Sequence, residues 1–236
     1  MSKLEELIAE YCPNGVEYKP LWEITVWDKR FNAVERYKQP RIIEYPYLLA
    51  AELFSLNQNK GDVFLLSTGE KTGWTSTELA GSYLCEGEVV SIPWGKSRPV
   101  KEVIKYFKGK FITADNRIAT SSNKNNLSNR YLYYCLLNQS ETIDSYYRGS
   151  GIKHPSMKDV LDSTIPLPPL PVQEEIVRIL DTFTALEAEL EAELEARKKQ
   201  YEYYREAMFI CSKCQYYRVM DLTIDRYWLM PATPNF

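Results

Sequence analysis

The stretch IPLPPLPVQEEIVRILD, residues 165–181, separates two parts of the chain that differ in composition. Its first seven residues include four prolines, which exclude a helix interior or a central strand and favour an extended, stiff connector. From residue 172 to about 208 there is neither Gly nor Pro, and most residues are Glu, Ala, Leu, Arg or Lys, all strong helix formers. We therefore expect a folded domain over 1–165, a proline-rich connector over 166–171 and a long helix over 172–208.

The expected long helix carries a seam of large side chains at a mean spacing near 3.6 residues. The seam consists of Phe183, Leu186, Leu190, Leu194, Arg197, Tyr201, Tyr204 and Met208. At 1.5 Å per residue the helix is roughly 55 Å long, which is more than one domain of about 165 residues can cover. The apolar seam therefore predicts pairing with a partner helix, from a second copy of the chain or from a related chain.

The part before the connector has the pattern of a mixed α/β domain. Residues 62–67, 88–93 and 110–113 are rich in strand-forming residues and are bounded by Gly, Pro or charged turns, so we expect three buried strands. Residues 128–138 carry apolar residues at helical spacing, and Ser128 is a good helix N-cap. The tail over 209–236 fits none of these patterns.

Composition excludes several kinds of catalytic or metal site. The chain has one histidine, His154, which excludes His–Cys zinc clusters and most catalytic triads and leaves a lone general base as the remaining role. Cys211 and Cys214 have the spacing of a metal or redox pair, but no second pair accompanies them. The run GEKTG at 69–73 is too short for a phosphate-binding P-loop. We therefore expect no catalytic residue, no metal and no cofactor bound by this chain.

The remaining composition is that of a folded protein without a membrane span. No apolar run approaches the ~20 residues that a spanning helix needs, and the first ten residues lack the basic and apolar parts of a signal peptide. The five cysteines are irregularly spaced, which favours reduced thiols over a disulfide framework. These features predict a cytoplasmic location.

Positive charge is concentrated in the middle of the chain. Residues 90–158 contain twelve Lys and Arg against four Asp and Glu, a net charge of +8 in a chain whose total is −3. Such a block is a candidate face for a polyanion, although an arbitrary lysine-rich segment also serves simply to solvate one side of a fold. As phosphate-binding candidates we select its lysines Lys96, Lys101, Lys105, Lys108, Lys110 and Lys124.

Arginines and amides are the side chains that read base edges. On that basis we select as base-reading candidates Arg98, Asn116, Arg117, Asn123 and Arg148, with Lys71 and Trp74 on a facing loop.

Several motifs together resemble one protein family. They are GVEYKPLWEIT at 15–25, GKFITADNRIAT at 109–120, GSGIKHPSM at 149–157, IPLPPLPVQEEIVRILD at 165–181 and ARKKQYEYYRE at 196–206. In this order they look like a target recognition domain and the central spacer helix of the specificity subunit of type I restriction-modification enzymes. The resemblance covers about 200 of the 236 residues. The chain is similar to one recognition domain and one helix, which suggests a half-length form, whereas the tail from Ala207 departs from the family pattern.

The resemblance implies a non-catalytic, sequence-specific DNA-binding subunit. Such a subunit docks the modification (methyltransferase) subunits, which hold S-adenosylmethionine, and through the complex the ATP- and Mg-dependent restriction subunit. It reads a bipartite target, and its two long helices run antiparallel. A half-length chain is then expected to read one half of the target and to pair through Phe183, Leu186, Leu190, Leu194, Tyr201 and Tyr204 as a homodimer or with another half-subunit. The recognised bases do not follow from the sequence.

Other functions stay open at this point. One is a coiled-coil scaffold protein with a ligand other than DNA, and another is an orphan DNA-binding adaptor that is not attached to a restriction system. A free-standing nuclease or methyltransferase is opposed by the missing motifs.

Overall fold

A computed structural model describes residues 2–67, 72–95, 98–114 and 117–210, the side chains of 209 and 210 excepted. The chain divides into two compact units, Met1–Leu180 and Asp181–Phe236. The atypical tail, with Cys211 and Cys214, lies outside the described residues.

The first unit mixes short helices and strands. Its described strands are β1 Tyr18–Pro20, β2 Thr25–Trp27, β3 Val63–Leu66, β4 Gly73–Thr75, β5 Cys85–Ile92, β6 Lys105–Thr113, β7 Arg117–Ser121, β8 Tyr147–Arg148, β9 His154–Pro155 and β10 Thr164–Pro166. The described helices are α1 Lys3–Tyr11, α2 Leu21–Ile24, α3 Ala50–Ser55, α4 Thr77–Ala80, α5 Asn129–Asn138, α6 Ser140–Ser145, α7 Met157–Asp162 and α8 Leu170–Ile210. Short 3₁₀ turns occur at Arg36–Lys38, Gly81–Tyr83 and Val100–Glu102.

Six strands form the main sheet, in the order β2-β7-β5-β6-β3-β4. Neighbouring strands are antiparallel except β3 and β6, which run parallel. Two further pairs, β1 with β10 and β8 with β9, stand outside this sheet. The largest core packs β5 and β7 against α5, α6 and α7, with residues such as Ile92, Leu132, Ile143 and Val160 almost fully buried. A mixed α/β domain followed by a long helix was expected, and this fold class is confirmed.

The long strand β6 is strongly bent. Its first residue, Lys105, donates its Nζ to the carbonyl of Ser67 at 2.7 Å, although Ser67 directly follows the strand that pairs with the other end of β6. Nine extended residues would span about 26 Å from first to last, which a lysine side chain cannot bridge. We place the bend at Gly109, whose φ of +137° is a conformation that side chains rarely adopt and which lies opposite Gly87 on β5.

Several elements differ from their expected bounds. Strands β5 and β6 are longer than expected, because alternating polar residues on their solvated face hide them from a search for apolar runs. Helix α8 begins at Leu170, inside the stretch expected to be extended, because proline is tolerated in a first helical turn. Ser128 does occupy the N-cap of α5, but its side chain makes no capping hydrogen bond.

The first turns of α8 are anchored to the domain by two polar side chains. Gln173 is fully buried; its Oε1 accepts from the Ser128 N–H at 3.0 Å, and its Nε2 donates to the carbonyl of Asn126 at 2.7 Å. Glu175 binds both Lys3 of α1, at 2.9 Å, and Arg178, at 2.7 Å. These two contacts lower the pKa of Glu175 to about 2, so its carboxylate stays charged and holds α1 to α8 at neutral pH.

The described part of the second unit, 181–210, is helical throughout. Its apolar side chains are exposed: Phe183 by 63%, Leu190 by 65% and Leu194 by 54%. Exposed leucines at helical spacing are the pattern of a helix that pairs with another helix. The expected coiled-coil pairing itself stays a prediction.

The bend in β6 generates a first prediction. Gly109→Ala should lower the free energy of unfolding by about 1–3 kcal/mol, because the Cβ is strained at this φ. Its cross-strand neighbour provides the control: Gly87→Ala should be neutral or stabilising by up to about 1 kcal/mol, since Gly87 does not have a positive φ. Urea denaturation followed by circular dichroism measures both, and equal effects would contradict a bend at Gly109.

Candidate nucleic-acid interface

The described residues that flank three connections between strands lie close together on one part of the domain, which we call the rim. The connections are the β3–β4 connection after Ser67, the β5–β6 connection that begins at Pro93, and the β6–β7 connection that begins at Ala114 and precedes Arg117. Because β6 bends, its first residue and the residue after its last both lie beside the end of β3, so residues that are far apart in sequence come together.

Hydrogen bonds and register establish this convergence. Ala114 donates its N–H to the carbonyl of Leu66 at 3.2 Å, which joins the second half of the bent strand to β3. Arg117 lies opposite Ile92, the last residue of β5. Its guanidinium carbon is 5.8 Å from the ring centre of Trp94, directly after that strand. The rim is therefore framed by residues that flank all three connections.

Three cations at the rim are poorly solvated. Burial lowers the pKa of Lys105 to about 8, and burial also lowers the pKa of Lys29 and of Arg117. Lys29 reaches this region through Tyr47, since its Nζ is 5.1 Å from the Tyr47 ring centre and Tyr47 bridges to Thr113 at the end of β6. Burial removes water from a cation and disfavours its charged form, and a nearby anion stabilises that form. This arrangement therefore favours binding of phosphate-like groups.

One buried carboxylate, Asp28, faces two of these cations. Its Oδ1 accepts the N–H of Ile118 at 3.1 Å, and its Oδ2 is 3.8 Å from Nζ of Lys29. Burial raises the pKa of Asp28 to about 6 in spite of the opposing charges of Lys29 and Arg117. Asp28 directly follows β2 and bonds to Ile118 of β7, so it links the two strands beside the rim.

The predicted base-reading residues divide into several groups. Arg98 is exposed on the β5–β6 connection, and Arg117 begins β7. Arg148 is opposite His154 in the β8–β9 pair. The ring centres of His154 and Trp94 are 4.2 Å apart, so Arg148 lies next to the rim. The structure thus brings these three arginines to one region.

Three more candidates, Lys71, Lys96 and Asn116, lie outside the described residues. Their described neighbours in sequence belong to the three connections that meet at the rim.

Other predicted residues are placed elsewhere. Asn123 and Lys124 are exposed after the end of β7, and the start of that strand is at the rim. Trp74 on β4 is 44% exposed and packs edge-on against Phe64, with ring centres 5.3 Å apart. Whether these residues touch DNA stays a prediction.

The predicted phosphate-binding lysines also differ from one another. Lys101 is exposed on the β5–β6 connection, within a 3₁₀ turn. Lys108 is exposed on β6 opposite Glu88. Lys110 binds Asp62 at 3.2 Å, and Lys105 is partly buried and bonded to a carbonyl. Lys101 and Lys108 therefore offer more accessible charge than Lys105 and Lys110.

Asp28 and Lys29 were not among the predicted site residues, because they lie in the acidic first third of the chain. The net charge of a long segment does not show that a single cation within it lies beside residues from a distant part of the chain. Tyr147 and His154 were also not among the predicted site residues, although their polar atoms bind the backbone of the β5–β6 connection. A signal for the last two was the sequence GSGIKHP, a short turn flanked by aromatic and basic residues.

The described residues contain no helix with the length and apolar character needed to cross a membrane. In that same part of the chain, no group of three or more His, Cys, Asp or Glu side chains is placed to hold a metal ion.

Comparison with known proteins gives consistent similarities. The model of the type I restriction modification DNA specificity domain matches residues 49–196, more than half of the chain. The specificity subunit of the type I restriction enzyme EcoR124I/EcoR124II of Escherichia coli is 33% identical over 217 residues, which are 88% of this chain and 47% of that protein. A putative type I restriction enzyme specificity subunit of Haemophilus influenzae is 38% identical over 135 residues, 53% of this chain and 34% of that protein. The chain therefore spans about half the length of these curated relatives, or less.

A solved structure shares the fold. The S subunit of a type I restriction-modification system from M. genitalium superposes with a TM-score of 0.55 at 17% identity, over 83% of this chain and 46% of that one. At this identity the likeness concerns the fold alone.

Asp28 generates a prediction for the dependence of stability on pH. Because its pKa is raised in the folded state, the folded protein binds a proton at about pH 6 that the unfolded chain binds only near pH 4. The contribution of Asp28 to the free energy of unfolding should therefore increase by roughly 2–3 kcal/mol as pH falls from 7 to 4. The difference in stability between wild type and Asp28→Asn, measured by urea denaturation at each pH, should show this rise.

Asp62→Asn is the control, because the hydrogen bond from Thr77 and the contact with Lys110 lower the pKa of Asp62. Its contribution to stability should be present above about pH 4 and decrease below it, opposite in sign to that of Asp28. Parallel stability curves for wild type and Asp28→Asn between pH 7 and 4 would contradict the prediction.

Proposed function

The chain belongs to the family defined by the type I restriction modification DNA specificity domain, and we propose that its first unit binds double-stranded DNA at the rim. The observation that carries the proposal is that the described residues flanking three connections meet beside the partly buried cations Lys29, Lys105 and Arg117. A nearby phosphate would favour the charged form that burial disfavours in these side chains.

Base reading is assigned first to the arginines at this region, Arg98 and Arg148. An arginine can donate two hydrogen bonds to guanine, and a correct pair of this kind discriminates against other bases by about 1–3 kcal/mol. Lys101 and Lys108 are the lysines that exposure favours as phosphate contacts.

In this proposal the chain reads one half of a bipartite target and supplies no catalytic group. Methyl transfer from S-adenosylmethionine belongs to a modification subunit, and ATP- and Mg-dependent cleavage belongs to a restriction subunit; both dock on the specificity subunit. The relatives are named as specificity subunits of type I restriction enzymes, which supports this division of labour.

The direct test is the methylation pattern of a cell that carries the chain together with its modification subunit. Sequencing that detects methylated bases should show a motif that disappears when the gene for the chain is deleted. If methylation is unchanged by the deletion, the chain does not determine specificity and the proposal fails.

Phosphate contacts generate a quantitative prediction. With its modification subunit, the full chain should bind a mixed-sequence duplex with a slope of log K against log salt near −4, if about four phosphates are contacted. Lys101→Gln should make the slope shallower by about 0.9, since one fewer counterion is released. Lys110→Gln is the matched control and should leave the slope unchanged, because Lys110 is already paired with Asp62. Fluorescence anisotropy over a KCl series measures the slopes, and identical slopes for wild type and Lys101→Gln would contradict the assignment.

We also propose that the described helix of the second unit pairs antiparallel with a second long helix, from another copy or from another recognition unit. The exposed side chains Phe183, Leu186, Leu190, Leu194, Tyr201 and Tyr204 support this proposal, since water is an unfavourable environment for them. Two copies related by a two-fold axis would read a palindromic target, whereas two different units would read an asymmetric one.

Light scattering on purified protein tests the pairing. The double variant Leu190→Glu with Leu194→Glu should give monomers, because charged side chains would replace the apolar contact between the two helices. The same variant should abolish methylation in cells. Ala188→Glu with Ala192→Glu adds the same two charges at the same spacing on the opposite face of the helix, so pairing should persist. If the leucine variant stays paired, the apolar seam is not the interface.

A further inference from the structure

Two side chains of the β8–β9 hairpin hold the chain where it leaves β5. Tyr147 donates its hydroxyl to the carbonyl of Pro93 at 2.6 Å, and Nδ1 of His154 lies 3.1 Å from the carbonyl oxygen of Trp94. Because a carbonyl oxygen only accepts, His154 must carry its proton on Nδ1 and donate. One hairpin thus fixes two consecutive carbonyl groups.

The far end of the same connection is fixed as well. Asp144 of α6 accepts the backbone N–H of Val100 at 2.9 Å, where the 3₁₀ turn begins. At the near end the hairpin approaches so closely that a Cβ on Gly95 would lie 2.6 Å from Cγ2 of Ile152. The described flanks of the connection, 93–95 and 98–100, are therefore held at both ends by side chains from α6 and the hairpin.

Arg117 supports this connection from the opposite side. Its guanidinium carbon lies 5.7 Å from the ring centre of Phe31 and 5.8 Å from that of Trp94. Its Nε and Nη1 are buried, and neither finds a hydrogen-bond partner among the described residues. A guanidinium placed in this way contributes mainly by contact with aromatic rings. Phe31, Arg117, Trp94 and His154 form a continuous series of ring and guanidinium contacts from the core to the surface.

We propose that Trp94 and Arg98 determine part of the DNA specificity, and that Tyr147 and His154 are positioning residues that act through them. The inference rests on the proposed function and adds to it which connection reads bases and what holds that connection in place. Reading a base edge requires the reading side chain to be placed within about 0.5 Å, which an unsupported loop does not provide. Trp94 is 40% exposed and its carbonyl is held by His154. Arg98 is exposed two residues before Val100, whose N–H is held by Asp144, so both side chains can contact DNA.

The test is a selection of bound sequences from duplexes with a randomised central segment. It uses the full chain in complex with its modification subunit. Arg98→Ala should lower discrimination about fivefold or more at particular base pairs, as expected for loss of a base contact. Tyr147→Phe and His154→Phe each remove one hydrogen bond and keep a ring, and they should lower discrimination at those same base pairs. Binding to mixed-sequence DNA should change less than about twofold, because the phosphate contacts remain.

Two matched variants separate positioning from general loss of stability. Tyr131→Phe removes the same kind of bond, from a hydroxyl to the carbonyl of Pro166 at 3.1 Å, from a tyrosine that is equally buried. It should leave discrimination unchanged. His154→Asn keeps an N–H donor near the position of Nδ1 and should restore most of the discrimination lost in His154→Phe.

The outcomes are distinguishable. If the wild type selects a motif but Tyr147→Phe and His154→Phe select it equally well, the positioning role is wrong and the proposed function stands. Equal losses in Tyr131→Phe and Tyr147→Phe would also overturn the positioning role. If the wild type selects no motif, the proposed function fails, and the inference fails with it.

Discussion

The bend of β6 at Gly109 is the constraint on which the candidate interface depends. A straight strand would place its two ends about 26 Å apart, and the loops attached to them would not meet. With the bend, Lys105 at one end reaches the carbonyl that follows β3, and Ala114 beyond the other end bonds to β3 itself. Glycine makes this possible because it lacks the Cβ that would be strained at this backbone angle.

The convergence of the residues that flank the three connections has an electrostatic consequence. Three cations share the rim, and burial disfavours the charged form of each, while one buried carboxylate, Asp28, opposes two of them. The free protein therefore places at one surface three cations whose charged form is disfavoured by burial. Such a surface is favourable for a polyanion and unfavourable for a neutral ligand, so the electrostatics and the shape of the rim point to the same kind of partner.

The sequence predicts the elements that have strong local signals and misses what depends on contacts far apart in the chain. The long helix, α5 and β3 lie close to their expected positions, because helix formers and short apolar runs identify them. The match of the family model to residues 49–196 confirms the resemblance to the specificity-subunit family. The family could be predicted because its motifs are local stretches of sequence. In contrast, the positions of Lys29 and Lys105 depend on the bend and on register, which no local pattern encodes. Lys105 was predicted as a phosphate contact because of its charge. Only the fold shows that its Nζ already donates a hydrogen bond to the carbonyl of Ser67.

The two ends of the domain close on each other, and this affects how the chain folds during synthesis. Strand β1 pairs with β10, and Lys3 of α1 binds Glu175 of α8, so the first residues have partners near the end of the first unit. At typical rates of translation the ribosome needs about 8 to 30 seconds to make the intervening segment of roughly 150 residues. During this interval the amino-terminal segment is present without the strand and the carboxylate that it binds in the finished domain. Strands β5 and β6 are neighbours in sequence, so their antiparallel pair can form earlier. The strands that frame the rim can therefore be in place before β1 pairs with β10.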